Sequence, residues 1–514
     1  MHLTLYRSMK KILLFVVLCC PLFVTAQAID LHFTNGVTRF NNKDYKGAID
    51  DFDKSIASNP ANIDAYNFRG IAKGNIGDYP GAIADFTKEI LIDPKAYAAY
   101  DNRGHVKGLI HDYEGAINDC DTAVAINPAY DIAYNNLGNL KFETGQYNEA
   151  ITDLSKAIKL NPNSIEAYNN RGNCKSALKD YAGAIDDFNK AIEIRPEYSE
   201  AYVNKAIVEK ILNNFTGALA DFNKAIELNP QLEAAYSGSG LTKKFLNDIN
   251  GAMADFDHAI LINPKFSAAY QNRGELKFAM KDYTGAGADF AEVINLNPQF
   301  SEAYYDRAEL KNALGDHDGA ITDLTMAINL NPNYTEAYHD RGCIKSELKD
   351  FAGAIIDLSK AIELKPDFDM AYSNRGIAEV YSQKYVDAVE DFSKAISLAP
   401  DKPGSYYYRG LLMLNLHNPK SAITDFDKVI VLTPANADAF CNRGECENML
   451  LNFTSAMADL NQAIQLNSQF AQAYSYRAQV KYQQLDKAGA CTDWQKAVQF
   501  GDANALNDLN KFCK

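Results

Sequence analysis

The sequence predicts an all-α fold built from helix pairs stacked in tandem. Three observations predict it. Proline recurs at Pro60, Pro94, Pro128, Pro162, Pro196, Pro230, Pro264, Pro298, Pro332, Pro366, Pro400 and Pro434, every step being 34 residues. Two apolar patterns at helical spacing lie between successive prolines. Small residues hold fixed places in both patterns: alanine recurs at the Ala184 place in all fourteen units, and glycine or alanine at the Gly172 place. A fixed period of this length marks a repeat architecture, in which each unit buries its apolar face only against its neighbours.

The chain has 514 residues, 47% hydrophobic and 23% charged, the composition of a folded protein. Its first segment stands outside the repeats. Arg7, Lys10 and Lys11 precede a fifteen-residue apolar run, Ile12 to Ala26, and small residues follow at Ala26 and Ala28. Basic, apolar, then small is the order of a secretory signal peptide, expected over residues 1–28 with cleavage after Ala26 or Ala28. The alternative is an uncleaved anchor, although the run is short for a membrane span and contains Pro21. Cys19 and Cys20 lack the small residue that a lipoprotein cleavage box needs before its cysteine. "MKKILLFV" from Met9 resembles a bacterial start. Without residues 1–28 the chain carries 48 basic and 66 acidic side chains, a charge of −18. Such a surface suits neither phosphate backbones nor anionic membranes, so no nucleic-acid partner and no membrane span of the mature form are expected.

Each unit starts with a first helix such as "EAYNNRGNCKSAL". "KDY" turns the chain, and "AGAIDDFNKAIEIRP" forms the second helix. Proline ends it by pushing the preceding residue out of helical dihedrals. Tyr168 recurs as an aromatic in every unit but the first, where His32 stands, and fills the space the small residues leave. The period and the aromatic, Gly/Ala, Ala, Phe and Pro places resemble the tetratricopeptide repeat (TPR). The resemblance covers residues 29–504 as about fourteen repeats. It implies a right-handed α-solenoid superhelix of antiparallel helix pairs, whose first helices line a concave groove that binds proteins or peptides.

Arg171 departs from that pattern, since many TPR units are apolar at its place. Ten of fourteen units carry arginine there, and every unit carries aspartate sixteen residues later, as at Asp187. An arginine–aspartate pair is expected between the helices of one unit or of neighbouring units, because the guanidinium fork grips a carboxylate with two bonds. The competing use is an arginine ladder for an anionic partner. The aspartate persists in the units of Leu137 and Ser239, which lack the arginine, so it should have a second partner.

The ends and one interior unit are irregular. The first unit is degenerate at His32 and Asn35. Unit twelve adds Pro403, Gly404 and Pro419, which suggests a bend or joint. Gly501 can end the last repeat helix, and residues 505–514 are expected to belong to a C-terminal capping helix over Trp494.

Little in the chain suggests chemistry. The seven cysteines beyond residue 28 form no CxxC pair and no zinc spacing. Cys491 and Cys513, on the last repeat helix and the cap, are either a disulfide of an exported protein or two buried thiols. The histidines form no HExxH motif. His339 stands beside Asp340 on the first-helix face, but no nucleophile or metal partner recurs near it. No catalytic residue, metal or cofactor is expected.

The first-helix face is therefore the expected site. Its second, fifth and ninth places carry no lysine or arginine in any unit, unlike the basic clamp by which some chaperone-binding TPR domains hold a carboxylate. Ile207, Ile211, Leu241 and Phe245 form one apolar cluster, and Ile377, Tyr381, Tyr407 and Leu411 another. Glu302, Glu309, Glu336 and Glu347 lie between. These residues either bind an amphipathic or basic peptide or only pack between helices. The expected function is a non-enzymatic scaffold, exported to a bacterial periplasm or cell surface, that binds proteins along this face. The alternatives are an adaptor subunit of an envelope machine (secretion, outer-membrane assembly or cell-wall synthesis) and a self-assembling structural solenoid. Oligomeric state is not legible.

Overall fold

The computed structural model describes residues 30–513. The expected signal peptide lies outside the described residues. Within them are twenty-nine α-helices and no strand. The chain divides into two compact units, Met1–Leu276 and Lys277–Lys514, each a run of helix pairs in tandem.

One pair shows why the sequence folds this way. Helix α9, Ile165–Ala177, and helix α10, Tyr181–Ile194, are joined by three residues. Lys179 has a φ of 65°. It is the αL residue that reverses the chain. Asp180 then caps α10, its Oδ1 accepting from the Gly183 N–H at 3.0 Å. Asn and Asp before the repeat prolines form a second turn: Asn161 Oδ1 accepts from the Asn163 N–H at 3.1 Å.

Between the helices, Phe188 is fully buried against Ala184 and Val208. A fully buried phenylalanine contributes about 1.5–3 kcal/mol. A Cβ on Gly172 would lie 2.6 Å from the Phe188 ring, so glycine here is what lets α9 approach α10. Most first helices beyond the first have 13 residues and most second helices 14, and within each compact unit helices pack on those adjacent or next but one in the chain.

The arginine–aspartate pairs are present. Arg171 donates from Nε to Asp187 Oδ2 at 2.9 Å and from Nη2 to Oδ1 at 2.7 Å. Its third nitrogen, Nη1, donates to Ser155 Oγ at 3.0 Å on the second helix of the preceding unit, Tyr147–Leu160. The guanidinium lies 5.6 Å from the Tyr168 ring centroid. One side chain therefore joins three helices. The same two-bond grip recurs at Arg103, Arg341, Arg409 and Arg477. In nine units the second partner of the aspartate is a lysine one turn beyond the arginine place. Lys175 Nζ lies 2.7 Å from Asp187 Oδ2, and Lys141 and Lys243 bind Asp153 and Asp255 in the units that lack arginine.

The prolines of unit twelve, where a bend or joint is expected, stand at helix starts. Pro403 and Pro419 begin helices Pro403–Asn415 and Pro419–Leu432, whose lengths match the other units. Proline is tolerated there because its missing N–H would have no intrahelical partner. At the C-terminus, Ala503–Phe512 is a short helix lying over Trp494, whose ring is 1% exposed and stacks 5.7 Å from Phe512. A disulfide joins Cys491 to Cys513, with Cα atoms 5.7 Å apart.

Candidate functional site on the first helices

The structure divides the expected apolar residues into two kinds. Ile207, Leu241, Ile377, Tyr407 and Leu411 are half-buried and pack against the cores of their own units. Ile211, Phe245 and Tyr381 are exposed, Phe245 at 63% and Tyr381 at 66%. Phe245 stacks on Phe215 at 5.1 Å and Tyr381 on Phe351 at 4.9 Å. Each exposed ring, at the end of a first helix, is thus held by an aromatic that starts the second helix of the preceding unit. This fixes the ring's orientation and leaves its other face open.

Glu302, Glu309, Glu336 and Glu347 are all exposed. The first three converge with Asp306 on Tyr334. Burial holds the Tyr334 phenol above its usual range, and the charges of Asp306, Glu302, Glu336 and Glu309 push it further in the same direction. The Tyr305 ring packs tilted against Tyr334, with centroids 5.0 Å apart, and its hydroxyl donates to Asp340 Oδ2 at 2.6 Å. The result is an acidic patch with two tyrosine rings at its centre. Glu347 lies at the far end of helix Thr335–Glu347.

A rail of side-chain hydrogen bonds runs between successive first helices. Asn136 Nδ2 donates to Asp101 Oδ1 at 3.0 Å, Asn170 to Asn135 at 3.1 Å, Asn204 to Asn169 at 2.8 Å and Asn272 to Ser237 at 3.2 Å. In the second unit Asn442 donates to Tyr407 Oη at 3.3 Å. Each bond spans 35 residues. Sequence reasoning missed this rail. Its one signal is the recurrence of asparagine at the place before the repeat arginine in five of the ten units that carry one, and again at Asn136 and Asn204.

Sequence reasoning also left His339 without a nucleophile, and the structure corrects this. Cys343 stands one helical turn beyond it, with Sγ 3.6 Å from His339 Nε2. Among the described residues no group of three or more His, Cys, Asp or Glu side chains could hold a metal ion, and no helix is long and apolar enough to cross a membrane.

Family models agree with the fold. A family model described as the tetratricopeptide repeat matches residues 165–198, and a second of the same description matches 199–232, 267–300, 301–334 and 335–368. A third, described as a TPR repeat, matches 138–174. No curated protein matches. The crystal structure of the APC/C hetero-tetramer Cut9–Hcn1 is similar at 15% identity and a TM-score of 0.46, over 88% of this chain and 97% of that one. A tetratricopeptide repeat protein from Parabacteroides merdae ATCC 43184 is similar at 22% identity and a TM-score of 0.40, over 47% of this chain and 95% of that one. Yeast Tom70 is similar at 19% identity and a TM-score of 0.33, over 81% of this chain and 96% of that one. The matched repeats, the 34-residue period and the tandem helix pairs make this chain a member of the tetratricopeptide repeat family.

Proposed function

We propose that the chain is a non-enzymatic scaffold, exported to a bacterial periplasm or cell surface, that binds one or more proteins along its first helices. The convergence of Glu302, Glu309, Glu336 and Asp306 on Tyr334 supports this reading most directly. Four carboxylates around half-buried tyrosine rings offer a seat for a lysine or arginine side chain, with aromatic faces for its stem. Phe245 and Tyr381 offer rigid, half-open apolar anchors, the residue type that dominates binding energy in interfaces. The partner would present an amphipathic or basic segment that meets the acidic patch and Tyr381 in the second compact unit, or Phe245 in the first. Export is supported by the basic, apolar, small order of residues 1–28.

Two measurements test the proposal. A photo-crosslinking residue is placed at Phe245 or Tyr381 in the chain's own host, and the envelope fraction is read by mass spectrometry. One enriched partner, with crosslinks from both positions, is expected. Crosslinks only between copies of this chain would replace the scaffold with a self-assembling solenoid. N-terminal sequencing of the purified protein should begin at Gln27 or Ile29. A chain that keeps Met1 or Met9 and stays in the cytoplasm would refute export.

A further inference from the structure

Three successive first helices, α17 (Ser301–Ala313), α19 (Thr335–Glu347) and α21 (Asp369–Tyr381), bring together a second group of side chains, which shares only Tyr305 with the acidic patch. His339 and Cys343 are four residues apart on α19 and so share one face. His339 Nδ1 is 2.8 Å from Asp340 Oδ1. Asp340 Oδ2 is held in turn by the Tyr305 hydroxyl from α17, at 2.6 Å. From α21, Asn374 brings its Nδ2 to 3.2 Å from Cys343 Sγ and 3.1 Å from His339 Nε2. Phe368 packs 4.8 Å from the imidazole, whose side chain is 12% exposed. A thiol stands beside a base, the base is oriented by a carboxylate, and an amide is aimed at the sulfur. That is the geometric relation of an activated cysteine.

Electrostatics agrees. Burial pulls the His339 pKa down, but the hydrogen bonds to Asp340 and Cys343 outweigh it and hold the pKa at about 9. The imidazole is then a cation at neutral pH, the neighbour that stabilises a thiolate. The titratable groups around the pair are Asp340 on α19 and Tyr305 and Glu309 on α17, while α21 and the turn before it present Asn374 and Phe368. The other free cysteines, Cys120, Cys174, Cys441 and Cys446, are buried, whereas Cys343 is partly exposed. Burial pushes the Cys174 and Cys446 thiols up to about 12, which leaves them inert.

We propose that Cys343 is a covalent modification site on the binding face, a nucleophilic thiol that reacts with disulfides and holds the ligand as a mixed disulfide. The Cys343 thiolate attacks one sulfur of a disulfide R–S–S–R′. The Cys343 S–S–R bond forms as the R–S–S–R′ bond breaks, and the electron pair leaves on R′S⁻. The proton held at His339 Nε2 passes to that leaving thiolate and gives R′SH. The disulfide itself is the oxidant; with Nε2 protonated, the Asn374 amide faces it through its carbonyl oxygen, and the donor beside the reacting sulfur is the His339 Nε2–H, 3.6 Å away.

The test uses the full chain and 4,4′-dithiodipyridine, a disulfide chosen without acidic groups because the adjacent patch is acidic. Release of its thiol is followed in native protein at pH 6 and pH 8. One equivalent should react in a fast phase, map to Cys343 by mass spectrometry and disappear in Cys343→Ser. An ordinary thiol slows about a hundredfold between pH 8 and pH 6, because its thiolate is nearly gone; Cys343 should slow less than tenfold. His339→Gln should restore the steep dependence at unchanged Tm. An ordinary hundredfold fall in the native protein, which needs no variant, would overturn the proposal, as would a rate at Cys343 no faster than at the buried thiols.

Discussion

Arg171 carries much of the residue-scale argument. Its fork is filled by Asp187, and its third nitrogen by Ser155, so it has no donor arm left for an anionic ligand. The side chains are 18% and 5% exposed, and charged hydrogen bonds of this kind contribute about 1.5–3 kcal/mol. Arg171→Ala and Asp187→Ala should each destabilise by that amount in urea unfolding. The double variant should cost clearly less than the sum, because the two residues serve one interaction. Additive losses would show that they act separately.

Glu89 makes the opposite case. It stands where most units have alanine, and its side chain is buried, with Asn67 donating to Oε2 at 3.0 Å. Burial raises its pKa from 4.5 to about 7, although the Asn67 bond pulls the other way. A raised carboxyl favours the protonated protein, so stability is full below about pH 4.5 and is lost as pH rises towards 7. The loss is on the order of 3 kcal/mol. Glu89→Gln should therefore change little at pH 4.5 and stabilise increasingly from pH 5 to pH 8, measured by denaturant midpoints. Equal effects at both ends would refute the burial account. Asp323 and Asp493 have the reverse sign. Burial would raise them, but bonds from Arg307 and Lys311, and from Arg477 and Lys481, hold them low. Their contribution is present at neutral pH and is lost as acid protonates them.

At the scale of the element, the intra-unit turn is the recurrent source of strain. All fourteen turns carry a positive φ at one place, and only Gly77, Gly145 and Gly315 fill it with glycine. Leu485 has a φ of 70° there and is almost fully exposed. The αL conformation costs a side chain about 1–2 kcal/mol, partly offset by the greater freedom of glycine in the unfolded chain. Leu485→Gly should raise stability by about 0.5–1 kcal/mol, read as a rise in the Tm of the C-terminal repeat. The cap is the second such element. The Cys491–Cys513 bridge closes a 22-residue separation, which the chain-entropy model values at about 3 kcal/mol. Reduction should lower the urea midpoint of Trp494 fluorescence, because Trp494 lies beneath the bridged helix. An unchanged midpoint would mean that packing alone holds the cap.

Within each of the two compact units, packing is local along the chain: helices meet neighbours one or two places away. Stability is then close to a sum of repeat and interface terms, and one global transition is not expected. Trp494 is the only tryptophan and reports the last unit. Its unfolding midpoint should differ from that of far-UV circular dichroism, which averages every helix. Coincident transitions would instead require cooperativity that spans the repeats.

The period, the helix pairs, the small-residue contacts and the Arg171–Asp187 pair were legible because each lies within one unit, at an offset that recurs in the letters. The Cys491 and Cys513 pair was legible as a choice between bridge and thiols. The tertiary structure decided what crosses between units. Asn374 meets His339 and Cys343 at separations of 35 and 31 residues, and Arg171 reaches Ser155 on the unit before it. Such contacts depend on the rotation of one helix pair against the next, which side-chain packing sets and no spacing within a unit displays. Packing likewise decided that Phe245 and Tyr381 stand open while Ile207, Leu241 and Leu411 do not, since burial belongs to the neighbours a residue meets rather than to its type.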